Sequence, residues 1–136
     1  MEENYLALNR QNWNNRVEGH LQSDFYRMDA FRSGENSLKE IELGLLGDVS
    51  GKKVLHLQCH FGQDSLSLAR MGAHVTGIDF SEKAIETAKT LASELELQAT
   101  FICCDIYDSL QFLTEKFDIV YTTYGTIGWL PDLSKW

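Results

Sequence analysis

The stretch VLHLQCHFGQD, residues Val54 to Asp64, has the pattern of a buried strand that passes through a tight turn into a helix. Its apolar half comes first, and the following DSLSLARMG has helical spacing and a glycine stop at Gly72. The turn contains a single glycine, Gly62, whereas a turn that holds a nucleotide pyrophosphate usually contains two or three. The stretch is either a cofactor loop with unusual residues or a plain strand-to-helix connection.

Strand and helix patterns alternate along the chain after this stretch. The apolar runs of strand length are KKVLHLQC, AHVTGIDF, LQATFICC and KFDIVYTTY. The segment SEKAIETAKTLASEL predicts a helix with Ser81 as its N-cap and one apolar face. Alternation at this spacing predicts an α/β fold with right-handed crossovers and a doubly wound parallel sheet.

The N-terminal part is polar with scattered aromatic residues. It predicts a helix over Leu6–His20 and a loop over residues 23–36. Ser37 and Glu40 fit a capping box at the start of a second helix. The apolar face of that helix is predicted to contain Leu38, Ile41 and Leu45, and its end to lie at Gly47.

Charge and composition narrow the class of partner. The chain of 136 residues has 20 acidic and 12 basic residues, a net charge of −8. Such a chain does not attract phosphate backbones, so the partner is expected to be a small molecule and not nucleic acid. No apolar run is long enough for a membrane span, and MEENYLALNRQNWNNR lacks the features of a secretory signal. The three cysteines have neither disulfide nor zinc spacing, so reduced, mostly buried thiols in a cytoplasmic protein without a metal site are expected.

The residues at the strand exits form the candidate site, because ligands bind beyond the carboxyl ends of parallel strands. Asp79 follows the second strand, where a carboxylate accepts hydrogen bonds from ribose hydroxyls or caps the next helix. Ser81 already suits the cap, which favours the ribose for Asp79. Asp105 follows the third strand and is suited equally to an adenine amino group and to capping a short helix.

The segment VLHLQCHFGQDSLSLARMGAHVTGIDFSEKAIETAKTLA resembles the first motifs of class I S-adenosylmethionine-dependent methyltransferases. In that family a glycine-rich loop, V-L-D-L-G-C-G-T-G, stands where residues 54–62 stand here. The family pattern G-x-D-x-S matches Gly77, Asp79 and Ser81. With KFDIVYTTYGTIGWLPD included, the resemblance covers residues 51–132.

The resemblance implies a Rossmann-like fold, whose seven strands in that family have the order 3-2-1-4-5-7-6. Four strands are recognisable in this chain, so we expect a truncated sheet of order 3-2-1-4. Residues 1–50 would then be an N-terminal helical cap segment. Residues 51–136 would be an incomplete Rossmann-like cofactor-binding domain in the same structural unit.

The resemblance also implies S-adenosylmethionine as cofactor and methyl transfer as activity. Asp79 looks like the residue that binds the ribose, and Asp105 with Ile106 like the adenine site, while the loop after the first strand would surround the methionine portion. The implied cofactor-binding residues are Gln58, Cys59, His60, Gly62, Asp64, Asp79, Phe80, Asp105, Ile106 and Tyr124.

The loop departs from the family pattern at two glycine positions, which Gln58 and His60 occupy here. Glycine permits positive φ and a close approach of the backbone to the cofactor. Gln58 and His60 must therefore adopt ordinary backbone angles or carry local strain. Their side chains are expected to contact the amino-acid end of the cofactor, the alternative for His60 being an exposed loop histidine bonded to backbone. His56 is expected to be a satisfied buried histidine.

The acceptor side is described less fully by the sequence. Tyr26 is a candidate lid residue and Trp129 a candidate border of the acceptor pocket, the alternative for both being simple packing. His20, His60 and Tyr124 are possible bases, and no catalytic residue is assigned.

Two other functions remain alternatives. A dinucleotide-dependent oxidoreductase is less favoured, because its pyrophosphate needs glycines at the first turn and Asp64 would repel it. A truncated or vestigial cofactor-binding domain without turnover is the second alternative. In the order 3-2-1-4 the fourth strand lies at an edge, so a homodimer through FDIVYTTY is predicted.

Overall fold

The computed structural model describes residues 2–123 and 126–136 of the chain. The strands are β1 Lys53–Leu57, β2 His74–Asp79, β3 Thr100–Cys103 and β4 Ile119–Tyr121. The helices are α1 Glu2–Leu21, α2 Met28–Arg32, α3 Glu40–Leu46, α4 Gln63–Arg70, α5 Glu82–Glu94 and α6 Ser109–Phe112. Short 3₁₀ helices span Ile106–Asp108 and Ile127–Trp129. None of the helices within these described ranges is long and apolar enough to cross a membrane.

The four strands form one parallel sheet of order β3-β2-β1-β4, which confirms the predicted α/β class and strand order. Val54 of β1 lies opposite Val75 of β2 on one side and Ile119 of β4 on the other. β1 and β2 are buried apart from their first residues. Such burial is expected for the apolar strands of a parallel sheet, because helices cover both of its faces. The carboxyl ends of the strands therefore meet at one edge of the sheet.

Helix α5 forms where the sequence predicts it. The Ser81 hydroxyl accepts a hydrogen bond from the backbone N–H of Ala84 at 3.1 Å, which confirms the predicted N-cap. The apolar face is buried at Ala84, Ile85, Ala88, Leu91 and Ala92.

The N-terminal helices pack on the sheet domain. Val17 of α1 is fully buried, in the same apolar cluster as Phe61 and Leu66. Residues 23–36 were predicted as a loop, and this was wrong in part, since α2 lies within them. Met28 and Phe31 of α2 are 5% and 2% exposed, so burial of these two side chains stabilises a helical turn that has little local signal of its own.

The predicted capping box and apolar face of α3 were wrong. The helix begins at Glu40, and the backbone N–H of Lys39 donates to Glu42 Oε2 at 3.1 Å. Ile41 and Leu45 are 73% and 84% exposed, because Leu43 and Leu46 of the helix pack against the core instead, together with Leu38 before the N-cap. The predicted end at Gly47 is confirmed, with φ at 63°.

Candidate active site

A cavity of about 450 Å³ lies at the carboxyl edge of the sheet. Small-molecule sites in proteins have volumes of roughly 300–1,000 Å³. Residues that follow all four strands line the cavity, and Leu6, Asn9 and Trp13 of α1 cover it. The lining residues at the strand exits are Gln58, Cys59, His60, Asp79, Phe80, Cys104, Asp105, Ile106 and Thr123.

Asp79 lies at the centre of this edge, 9% exposed. Its Oδ1 accepts the backbone N–H of Ser81, and its Oδ2 accepts the backbone N–H of His60, both at 2.9 Å. Burial raises the pKa of Asp79, and the backbone hydrogen bonds from Ser81, His60 and Phe80 oppose that rise. Each carboxylate oxygen keeps a second lone pair, so the group remains able to accept hydrogen bonds from a ligand.

The turn between β1 and α4, residues 58–62, is termed the cofactor loop below. Gln58, His60 and Gly62 all have left-handed backbone conformations, with φ of 54°, 55° and 79°. Gln58 and His60 therefore do not adopt ordinary backbone angles. They carry the local strain that was the other expectation. A non-glycine residue held in this region costs about 1–3 kcal/mol and persists where the surroundings enforce it.

Packing and hydrogen bonds hold the cofactor loop in this shape. The backbone N–H of Cys59 donates to the carbonyl of Ile78 at 2.9 Å, and that of Gly62 to the carbonyl of Cys59 at 3.0 Å. Burial raises the pKa of the Cys59 thiol, so this side chain acts as a neutral packing group. A Cβ on Gly62 would lie 2.8 Å from the ring of Phe101, so the loop rests directly on that ring.

Gln58 carries a hydrogen-bonding atom without a protein partner. Its Nε2 donates to the carbonyl of Thr126 at 3.1 Å, which fixes the orientation of the amide. Its Oε1 is buried and has no partner within residues 2–123 and 126–136. Since Gln58 lines the cavity, this unpaired acceptor lies at the cavity wall.

The His60 ring does not extend into solvent, so the alternative of an exposed loop histidine is wrong. His60 Nε2 lies 2.9 Å from His20 Nδ1, and the ring packs against its aromatic neighbours. Ring centroids lie 5.3 Å from Trp13, 5.8 Å from Tyr26 and 4.4 Å from Phe61. Burial, followed by the nearby His20, lowers the pKa of His60 to about 3.

Asp64 stands in the first turn of α4 and lines the cavity. Ser37 donates its hydroxyl hydrogen to Asp64 Oδ1 at 2.6 Å, which explains why Ser37 does not cap α3. Burial raises the pKa of Asp64, the Ser37 hydrogen bond opposes the rise, and Glu42 adds to it. Burial and the charge of Asp64 together raise the pKa of Tyr26.

Asp105 caps a short helix, which is one of its two expected roles, and it also lines the cavity. Its Oδ1 accepts the backbone N–H of Tyr107 at 3.0 Å and caps the 3₁₀ helix Ile106–Asp108. The residue also lines the cavity, together with Ile106 and Phe80. The cap uses one carboxylate oxygen, so it leaves the adenine assignment as a prediction.

Two acceptor-side candidates border the same cavity. Tyr26 and Trp129 both line it, and Trp129 packs edge-to-face against Trp13 at 5.3 Å between centroids. Tyr124 lies outside the described residues. The structure therefore places Gln58, Cys59, His60, Asp64, Asp79, Phe80, Asp105, Ile106, Tyr26 and Trp129 around one cavity, with Gly62 in the loop beside it.

Some lining residues carry little signal in the sequence. Ser37 and Lys39 line the cavity from the segment before α3, and Leu130 with Pro131 line it from beyond β4. Gln63 is buried and donates its side-chain N–H to the carbonyl of Tyr26. His56 is buried with Nδ1 2.6 Å from the Ser65 hydroxyl, which confirms it as a satisfied histidine.

The fold and the site together define a Rossmann-like, S-adenosylmethionine-dependent methyltransferase domain. The chain matches the family described as Methyltransferase domain over residues 54–136, and it belongs to that family. Members of this family use S-adenosylmethionine as cofactor.

Individual relatives agree with this assignment. A ubiquinone biosynthesis O-methyltransferase from Coxiella burnetii is 40% identical over 84 residues, 62% of this chain and 35% of the relative. A 16S rRNA methyltransferase from T. thermophilus, solved with AdoMet and guanosine, has 31% identity and a TM-score of 0.56, covering 62% of this chain and 23% of that one. A TehB-like SAM-dependent methyltransferase from Corynebacterium glutamicum shares the fold, with a TM-score of 0.65 at 22% identity over 87% of this chain and 60% of that one. The chain spans about a third of the length of the curated relatives that it matches.

Proposed function

We propose that the protein binds S-adenosylmethionine in the cavity at the carboxyl edge of the sheet and transfers its methyl group to a small-molecule acceptor. The observation that carries the proposal is the set of polar groups at successive strand exits, Gln58, Asp79 and Asp105, around one cavity. Dinucleotide binding is less well supported, because the partly buried Asp64 carboxyl stands at the N-terminus of α4, where a pyrophosphate would lie.

The polar groups suit the three parts of the cofactor. The free lone pairs of Asp79 would accept the two ribose hydroxyls, and Asp105 would accept the adenine amino group against Ile106. The unpaired Gln58 Oε1 would accept from the ammonium of the methionine portion. Asp64, Cys59, Gly62 and Phe80 would border the bound molecule.

Methyl transfer from a sulfonium needs little covalent help from the protein. The leaving group is already good, so the site mainly aligns nucleophile, methyl and sulfur and excludes water. Leu6, Asn9 and Trp13 of α1 cover the cavity and would provide the exclusion. A base is needed only where the acceptor must lose a proton first.

Three observations support a small-molecule acceptor. The net charge of −8 disfavours a phosphate backbone. Tyr26 and Trp129 give the cavity aromatic borders that suit a small apolar or planar group. The Coxiella burnetii relative is named for O-methylation in ubiquinone biosynthesis.

The three free thiols, Cys59, Cys103 and Cys104, support cytoplasmic action, although Cys103 is exposed and not buried as predicted.

Release of S-adenosylhomocysteine tests the function. The protein is incubated with S-adenosylmethionine and either a metabolite filtrate that passes a small-pore membrane or total RNA, and the product is quantified by mass spectrometry. We expect product formation that depends on the filtrate and is abolished in Asp79→Ala. Product with RNA alone would contradict the acceptor class, and none with any acceptor would contradict turnover while leaving cofactor binding open to separate measurement.

A further inference from the structure

The hydrogen bond between His20 and His60 joins the last turn of α1 to the cofactor loop. The two residues are 40 positions apart, and His20 Nδ1 lies 2.9 Å from His60 Nε2. The other ring nitrogen of His60, Nδ1, is shielded from solvent and has no hydrogen-bond partner in the part of the chain that the structure describes. Because a buried polar atom without a partner destabilises the fold, this nitrogen is a place where a ligand group is expected.

The surroundings of His20 determine which ring donates. Burial is the main cause that lowers the pKa of both histidines, so both rings are neutral at pH 7 and one proton lies between the facing nitrogens. The Tyr26 hydroxyl lies 3.4 Å from the same Nδ1 of His20. One lone pair on that nitrogen cannot accept from both His60 and Tyr26, whereas one N–H can be shared between a near and a far acceptor. The geometry therefore favours His20 as the donor, which leaves the proton of His60 on Nδ1.

We infer that His20 is a positioning residue, which holds His60 in the tautomer whose Nδ1–H donates to the carboxylate at the amino-acid end of the cofactor. The inference rests on the proposed function and extends it to α1. His60 would supply a donor for the carboxylate, and Gln58 Oε1 an acceptor for the ammonium. The two side chains that replace glycines would thus form a matched pair for a zwitterionic group.

The backbone of the loop supports this orientation. The N–H of His60 donates to Asp79 Oδ2 at 2.9 Å, which fixes the backbone that carries the ring. Trp13 packs against the His60 ring edge-to-face at 5.3 Å, and Phe61 contacts it at 4.4 Å between centroids. The ring is therefore fixed at both its backbone and its faces.

Helix α1 has other anchors, so a change at His20 is expected to leave it docked. Asn14 Nδ2 donates to Glu82 Oε2 at 3.0 Å, and Asn14 Oδ1 pairs with the Ser81 hydroxyl at 2.5 Å. Val17 is fully buried in the core. His20 itself is only partly buried.

Two ligands test the inference: S-adenosylhomocysteine, and 5′-methylthioadenosine, which lacks the amino-acid portion. Titration calorimetry compares wild type, His20→Phe, which keeps a ring without a donor, and His20→Asn, which keeps a donor near the position of Nδ1. We expect His20→Phe to weaken S-adenosylhomocysteine about tenfold and to leave 5′-methylthioadenosine within twofold. His20→Asn is expected to recover most of the loss. His74→Gln, an exposed histidine at the start of β2, is the matched control and should change neither affinity.

The outcomes separate the two proposals. Failure of wild type to bind either ligand would overturn the proposed function. Binding of both ligands with an equal loss in His20→Phe would show a structural role only and overturn the inference, as would unchanged binding of both. Long-range ¹H–¹⁵N spectra of the histidine rings give a direct check. A proton on His60 Nδ1 in the complex agrees with the inference, and a proton on Nε2 overturns it.

Discussion

The backbone N–H of His60 donates to Asp79 Oδ2 at 2.9 Å, which links the exit of β1 to the exit of β2. This bond sets the left-handed cofactor loop directly beside the carboxylate that is proposed to bind the ribose. The same hydrogen bond therefore holds the strained loop in place and orients the Asp79 carboxylate.

Replacement of Asp79 should weaken cofactor binding. Asp79→Asn removes the negative charge and one of the two acceptor oxygens, so the affinity for S-adenosylhomocysteine should fall at least about tenfold. Asp118→Asn is the matched control. Asp118 also accepts a backbone N–H, from Lys53 at 2.8 Å, but it lies at the amino ends of the strands, away from the cavity. Equal affinities for wild type and Asp79→Asn, measured by calorimetry on folded samples, would refute the ribose assignment.

A methyl group at Gly62 should destabilise the protein. Its φ is 79°, and an added Cβ would lie 2.8 Å from ring carbons of Phe101 and 3.0 Å from Ala88 Cβ. Gly62→Ala should lower the free energy of unfolding by about 1–3 kcal/mol in urea denaturation. Gly44→Ala in α3 is the control, since no atom lies within 4 Å of its added Cβ, and it should raise stability by about 0.5–1 kcal/mol. A neutral Gly62→Ala would show that the loop and Phe101 separate easily.

The burial of His56 should make the protein sensitive to acid. Burial lowers the pKa of His56 to about 3, whereas in the unfolded chain it is about 6.5. Below pH 6.5 the unfolded state binds a proton that the folded state does not. Stability present above that pH is therefore lost as the pH falls, by about 1.4 kcal/mol per pH unit for this residue.

Urea denaturation between pH 7.5 and 5.5 isolates this contribution when wild type is compared with His56→Asn. The asparagine side chain of this variant would keep a partner for the Ser65 hydroxyl, which His56 Nδ1 contacts at 2.6 Å. The slope of stability against pH should be shallower in the variant by about one proton below pH 6.5. Identical slopes would mean that His56 is able to take a proton in the folded state.

The edge strand β4 should promote self-association of a chain of these residues. Val120 is 61% exposed on β4, which has a strand partner on one side only among the described residues. We propose a homodimer through this edge. Sedimentation should show a concentration-dependent dimer that Val120→Lys converts to monomer, while Gln11→Lys, with the same added charge on exposed α1, leaves it intact. A monodisperse wild-type monomer would contradict the proposal.

The parallel sheet and the exits at Asp79 and Asp105 were predictable because they depend on local apolar runs and their order. The left-handed conformation of Gln58 and His60 was not, since the loop is held by residues distant in sequence. His60 is bonded to Asp79, Cys59 to Ile78, and Gly62 rests on the ring of Phe101. Ser37 had the local pattern of a cap, but the partly buried Asp64 carboxylate competes for its hydroxyl.

The contact of His20 with His60 also lay beyond sequence reasoning. It joins residues 40 positions apart, and neither is part of a pattern that specifies a partner. The two rings come together through the docking of α1, to which buried Val17 and the hydrogen bonds of Asn14 contribute.

The central claim is that the cofactor occupies the cavity at the carboxyl edge of the sheet. The most direct test is a ¹H–¹⁵N titration of the labelled protein with S-adenosylhomocysteine. We predict saturable shifts concentrated at residues 58–64, at Asp79 and Phe80, and at Asp105 and Ile106. The absence of any shift in a folded sample, or shifts confined to the amino ends of the strands near Lys53 and His74, would contradict the claim.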